Sequence, residues 1–206
     1  MMKISVIGAA GMVGSQVAAE AAERGHDVHA YTRSGNAPQG LTAQPLSLHD
    51  AEAVTSVVNG SDATVISVAG RDDYEAIVTA HEQIIAAHPT GRILVVGGAG
   101  GLQVGEGLLL DSPEFPAEYL PEAKAFTQVY TDYAASTGLD WTLIAPSPEI
   151  APGARTGSYT TNHDHPAGNF VSTQDFAVAL VDEIENPAHQ QRRFTVASTD
   201  ETAARG

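Results

Sequence analysis

Cysteine is absent from all 206 residues. Its absence removes disulfides, thiolate nucleophiles and cysteine metal centres together, and it fits a reducing, cytoplasmic setting. Lysine is almost absent as well, standing only at Lys3 and Lys124. Lys plus Arg number 10 against 25 Asp plus Glu, a net charge of -15. A stripe of cations able to neutralise duplex phosphates cannot form from so few, so no nucleic-acid partner is expected. The same surplus gives an anionic membrane surface little to attract. No apolar run reaches the roughly 18–20 residues of a spanning helix. The opening MMKISVIGAAG enters a strand at once, without the layout of a signal peptide. What is present is a 43% hydrophobic composition, too apolar for general disorder. The length suits one domain over residues 1–206, as a monomer or homodimer.

The pattern along the chain is strand, helix, strand, repeated. Lys3–Ile7 is a short, nearly continuous apolar run, as expected of a parallel strand buried on both faces. Val13, Val17, Ala18, Ala21 and Ala22 then recur at helical spacing up to Gly25. A second strand follows at His26–Tyr31, and a third is expected near Leu41–Leu46 within Pro38–Leu46. Asp50 caps a helix over Ala51–Asn59. A fourth strand runs Asp62–Val68, followed by Ala69, Gly70 and Arg71. Asp72 or Asp73 starts the next helix, on which His81, like His88 beyond it, reads as a surface residue. Arg92–Val96 is the fifth strand, Glu122–Thr137 a helix, and Leu139–Ala145 the sixth strand, broken by Pro146-Ser147-Pro148. Residues 147–172 form a small excursion on the substrate side. Ser172-Thr173-Gln174-Asp175 has the form of a capping box ahead of a final long helix, and Arg193–Ala197 adds a last strand. This alternation predicts an α/β, Rossmann-like three-layer fold with a mostly parallel sheet.

The chemistry-bearing motif sits directly after the first strand. In Gly8-Ala9-Ala10-Gly11-Met12-Val13-Gly14, Gly8 permits the tight turn, Gly11 lets the backbone approach a pyrophosphate, and Gly14 lets the helix pack closely. The backbone of Gly8, Ala10, Gly11, Met12, Val13 and Gly14 therefore forms an anion site that needs no lysine. The second strand ends in Tyr31-Thr32-Arg33-Ser34, where an NAD site commonly carries an acid for the ribose hydroxyls. Arg33 suits a 2′-phosphate, with hydroxyl contacts from Thr32 and Ser34, so NADP(H) is expected over NAD(H). Ala69, Gly70, Gly97, Gly98 and Pro146 fall at the carboxyl ends of later strands and are expected to wall the same crevice. Phe115 and Tyr119, on a long loop at that edge, can stack on a flat ring, and Ser147 and Arg155 are further acceptor contacts. No residue is assigned as catalytic and none as a metal ligand. His163-Asp164-His165 reads as a polar loop.

These motifs, together with Val95-Val-Gly-Gly-Ala-Gly100, Asp140-Trp-Thr-Leu-Ile-Ala-Pro146, Pro152-Gly-Ala-Arg-Thr-Gly157 and Asp175-Phe-Ala-Val-Ala-Leu180, resemble the NAD(P)H-binding, NADH–flavin reductase group of atypical short-chain dehydrogenases. That group is similar to biliverdin reductase B and NmrA-like proteins. The resemblance covers nearly the whole chain and implies a bound dinucleotide, with Pro146-Ser147-Pro148 flanking nicotinamide and Pro152–Gly157 on the substrate side. The chain lacks the Tyr-x-x-x-Lys pair of the wider superfamily, which argues against alcohol oxidation by a tyrosinate. Reduction of a flavin (FMN or FAD as substrate), a quinone or another flat small-molecule acceptor needs no such acid. Two alternatives stand beside it: an NADP-binding redox sensor without turnover, as in NmrA-like proteins, and a nicotinamide-dependent epimerase or isomerase.

Overall fold

The computed structural model describes residues 1–36, 41–70 and 73–206. Arg71, Asp72 and the Pro38–Gly40 start of the third expected strand lie outside the described residues. β1 (Lys3–Ile7), α1 (Met12–Glu23), β2 (Asp27–Thr32), β3 (Ala43–Pro45), α2 (Ala51–Asn59), β4 (Ala63–Ile66), α3 (Tyr74–Ala86) and β5 (Ile93–Val96) follow one another. A short hairpin, β6 (Gln103–Val104) and β7 (Gly107–Leu108), precedes α4 (Leu120–Ala135), β8 (Trp141–Pro146) and β9 (Glu149–Ala151). The chain ends in β10 (Tyr159–Asn162), β11 (Phe170–Ser172), α5 (Thr173–Glu185), β12 (Arg192–Ser198) and α6 (Glu201–Arg205).

Eight strands form one sheet in the order β10-β12-β8-β5-β4-β1-β2-β3. From β3 to β12 every neighbouring pair is parallel, and β10 closes the far edge antiparallel to β12. Alternate strand residues face opposite layers, as the pleat requires. Ile4, Val6 and Leu94 pack with Val17 of α1 and Phe176 of α5. Ile7, Ile93 and Val95 pack with Val54, Ile77 and Phe126 of α2, α3 and α4. The result is a Rossmann-like α/β fold of three layers with a mostly parallel sheet. Because the order runs β1-β2-β3 one way and β1-β4-β5 the other, a crevice opens beyond the carboxyl ends of β1 and β4.

Several expectations need correction. His81 is not a surface residue: it is fully buried and shares a hydrogen bond with the Tyr133 hydroxyl at 3.2 Å. Pro146 does not break its strand but ends β8 in register with Val196 of β12. The last position of this interior strand tolerates a proline because the ladder ends there and needs no further donor from it. The excursion is divided, with β9 and β11 pairing in parallel beside the sheet while β10 joins the main sheet. The capping box is half formed. The Ser172 hydroxyl accepts from Asp175 N–H at 3.0 Å, but Ser172 N–H goes to the Ser198 hydroxyl. The Asp175 carboxylate accepts instead from the amides of Thr156 and Gly157 and the hydroxyls of Thr156 and Ser198, between 2.7 and 2.9 Å. Those bonds pin the segment after β9 to the start of α5.

Candidate functional site

The turn after β1 is fixed by sterics. Gly8 has φ +89°, and a Cβ there would lie 2.1 Å from the Ser67 carbonyl oxygen. A Cβ on Gly14 would lie 2.3 Å from the Gly8 carbonyl oxygen. Only glycine at both positions lets α1 start this close to the end of β1 and the chain leaving β4. The amides of Gly8 and Ala9 donate to Tyr31 O and that of Gly11 to Gly8 O. The amides of Ala10, Met12, Val13 and Gly14 have no acceptor among the described residues, and Gly11, the residue before the helix, offers no side-chain cap. These unpaired donors and the positive helix end form an anion cradle. The first turn of α1 carries no acid, whereas α2, α3, α4, α5 and α6 place Glu52, Glu75, Glu122, Asp175 and Glu201 there.

A cavity of about 390 Å³ opens beside the cradle, within the roughly 300–1,000 Å³ of small-molecule sites. Of the sequence-predicted residues it brings together Gly8, Ala10, Gly11, Thr32, Arg33, Ala69 and Gly70. Gly70, at φ +63°, lies so close to Ile77 that a Cβ would overlap its Cγ1 at 1.9 Å. Ile7, Leu46, Leu48, Val68 and Ile77 give the cavity an apolar slot suited to a flat ring, and Ser47, His49, Ser67 and Asp73 add polar groups. Asp73 also caps α3, its Oδ1 accepting from Ala76 N–H at 3.0 Å. The slot and His49 were not anticipated from sequence. Their only signal was position at the ends of β3 and β4, beside the crevice.

Arg33 differs from the arginines that hold the fold together, and unlike exposed Arg192 on β12, which also makes no ion pair among the described residues, it lines the cavity. Arg24, Arg92, Arg155, Arg193 and Arg205 are all paired to carboxylates. Arg33 is exposed at the cavity and makes no ion pair among the described residues. In a chain with 25 acids against 10 Lys and Arg, a cation left unpaired beside an anion cradle is available to a ligand. Thr32 is buried, and its hydroxyl donates to Asn36 O at 3.0 Å; the Ser34 hydroxyl accepts from Asn36 N–H. Those two hydroxyls shape the turn that presents Arg33.

The other predicted residues do not line this cavity. Met12, Val13 and Gly14 contribute through the backbone at the cradle, with the Met12 side chain 40% exposed. Gly97 and Gly98 follow β5, but a Cβ on Gly97 would meet Leu143 at 2.5 Å, so that glycine serves close packing. Ser147 is fully buried and its hydroxyl donates to Val196 O at 2.8 Å, which ties β8 to β12. Phe115 is half-buried on the β5–α4 loop, and Tyr119 is 55% exposed at the start of α4. Arg155 points its guanidinium at Glu20 of α1, at 2.7 and 2.8 Å. That hydrogen bond, with a second from Arg24, holds the Glu20 carboxyl below its usual range despite burial. Asp164 and His165 likewise serve the fold, through Arg193 and Gln103 O.

A family model described as NAD(P)H-binding matches residues 8–187. YwnB of Bacillus subtilis, an uncharacterized protein, is 36% identical over 215 residues, covering 97% of this chain and 100% of YwnB. The solved structure of a candidate NADH-flavin reductase from Streptococcus pneumoniae is 31% identical, with a TM-score of 0.87, over 97% of this chain and 100% of that one. A candidate epimerase from Bacteroides thetaiotaomicron is 32% identical, with a TM-score of 0.82, over 95% of this chain and 96% of that one.

Proposed function

The chain belongs to the NAD(P)H-binding family of atypical short-chain dehydrogenases, related to the NADH–flavin reductase and NmrA-like groups, and on that footing we propose that it is an NADPH-dependent reductase of a flavin, a quinone or a similarly flat acceptor. The observation that carries this reading is the cradle: two glycines that no other residue can replace, and four amides without an acceptor among the described residues at a helix start free of acids. The amides of Ala10, Met12, Val13 and Gly14 hold the pyrophosphate, the slot of Leu46, Leu48, Val68 and Ile77 takes the adenine, and Arg33 takes the 2′-phosphate. The dinucleotide supplies a hydride when bound. The protein's contribution is to hold donor and acceptor in contact and to keep bulk water from the ring faces. No Tyr-x-x-x-Lys pair is needed, because a reduced flavin or quinone draws its proton from water. The acceptor is a small molecule, the setting cytoplasmic, and the assembly a monomer or homodimer.

One observation favours a second reading. Beside β5 and β8, the Ser147 hydroxyl is committed to Val196 O and Leu143 packs against Gly97. An NADP-binding redox sensor needs no room or acid there. The test is consumption of NADPH with FMN, FAD and a soluble quinone, measured against the protein-free rate alongside NADPH binding. Turnover above that rate supports the reductase. Binding without turnover supports the sensor, and isomerisation of a substrate without net NADPH oxidation supports an epimerase. Absence of binding overturns the dinucleotide reading itself.

A further inference from the structure

Among the described residues, two basic side chains line the cavity, and they stand at the ends of neighbouring strands: Arg33 follows β2, and His49 lies on the turn leaving β3. The register brings these ends together, with Thr32 opposite Pro45 and Leu46 N–H donating to Thr32 O at 2.9 Å. The chain then turns at Ser47, whose hydroxyl accepts from His49 N–H at 3.3 Å and whose carbonyl accepts from Asp50 N–H at 3.1 Å. That turn leaves His49 exposed at the cavity lip. Elsewhere His26, His29 and His189 rest on carboxylates. The His49 ring, like the Arg33 guanidinium, has no partner among the described residues.

We propose that His49 is a second ligand of the cofactor's 2′-phosphate, acting with Arg33 to select NADP(H) over NAD(H), and more strongly as the pH falls. The proposal rests on the NADPH reading above. A phosphate monoester brings about 1.5 to 2 negative charges and three acceptor oxygens, more than one guanidinium satisfies. An imidazolium adds a positive charge and two donors. Among the described residues, the charged groups nearest His49 are Arg33 at the end of β2 and Asp73 at the start of α3, which line the same cavity, and Asp50 and Glu52, which follow it in sequence at the start of α2. Both aspartates already accept from helix amides, at Ala53 and Ala76. Deprotonation removes the charge and one of the two donors, so the contribution weakens with rising pH.

The test is calorimetric affinity for NADP+ and NAD+ in the wild type, His49→Gln and His49→Arg. At about pH 6 the glutamine variant should bind NADP+ roughly 5- to 10-fold more weakly, and at about pH 8.5 within about twofold of wild type. NAD+ affinity should be unchanged at both. His49→Arg should restore NADP+ binding and hold it at the higher pH. Ionisation of the ligand's own phosphate is common to all three proteins and cancels in their ratios. If the wild type binds NADP+ and His49→Gln binds it equally well at the lower pH, the role of His49 is overturned while the NADPH reading stands. If the wild type binds neither dinucleotide, both fall.

Discussion

Replacing His81 with leucine should remove a specific part of the protein's acid sensitivity. His81, on α3, is fully buried against Tyr133 of α4, with the rings 5.7 Å apart and nearly perpendicular. Its Nδ1 shares a hydrogen bond with the Tyr133 hydroxyl, and its Nε2 has no partner among the described residues. Burial pushes the imidazole down from 6.5 to about 4. The unfolded chain therefore takes up a proton near pH 6.5 that the native state refuses until near pH 4. Between those values the unfolded state binds more protons, so acid favours unfolding. At about 1.4 kcal/mol per unit, the neutral ring contributes about 3 kcal/mol above its unfolded value, all of it lost once the pH falls below the native one. About 2 kcal/mol of that is already gone at about pH 5. Urea unfolding of wild type and His81→Leu at about pH 8 and about pH 5 isolates the effect, because the other histidines are common to both proteins. The wild type should lose about 2 kcal/mol more than the variant between the two conditions. Equal losses would refute the argument that this buried ring stays neutral, whatever the variant's stability at pH 8.

Three other outcomes are expected. Arg33→Ala should weaken NADP+ binding by about 10- to 100-fold, the worth of a charge-assisted contact, and leave NAD+ within about twofold; equal losses for both would remove the 2′-phosphate assignment. Gly14→Ala places a Cβ 2.3 Å from Gly8 O, so the cradle must shift. A stability cost of about 1–3 kcal/mol and a drop in NADPH affinity of at least about 10-fold should appear together in thermal melts and titrations. Asp175→Ala removes a buried carboxylate and leaves the amides of Thr156 and Gly157 without their acceptor. It should cost about 3 kcal/mol or more and speed hydrogen exchange at those two amides, with Asp175→Asn recovering part of the loss.

The parts legible in the sequence are those set by local chemistry. Helix α2 begins after Asp50, whose side chain accepts from Ala53 N–H, and ends at Gly60, so both of its bounds were readable. The glycine turn was readable because strand, turn and helix are contiguous. What was missed depends on contacts distant in sequence. His81 lies on the apolar face of α3, yet its type argued for the surface, and its reason for burial, Tyr133, is 52 residues away. Arg155 looked like a substrate contact until folding placed it on Glu20, 135 residues distant. Ser147, between two prolines, has the local signature of a loop, but β12 passes beside it and takes its hydroxyl. The polar run Tyr159–Asn162 shows no alternation that marks a strand, and it becomes β10 only because β12 offers an edge. Helix α6 is five residues long and rests on the burial of Ala204.

The acidity of the chain bears on the site through its placement rather than its sum. A charge of -15 repels a polyanion at long range, but in physiological salt that field decays over about 8 Å. Binding is then decided by the groups within a few ångströms of the phosphates. There the sequence reverses its own bias. Five helices carry an acid in the first turn, where it satisfies the helix dipole internally. Helix α1 begins Met12-Val13-Gly14, without an acid or a capping side chain. An aspartate in place of Gly11 would cap α1 as Asp50 caps α2 and would consume the donors a pyrophosphate needs. The paired arginines follow the same logic, since those that hold the fold together are neutralised by carboxylates and Arg33 at the cavity is not. A protein selected only for an acidic, soluble surface has no reason to leave one helix start and one arginine unsatisfied on the same 390 Å³ cavity; a protein that binds a phosphorylated dinucleotide there does.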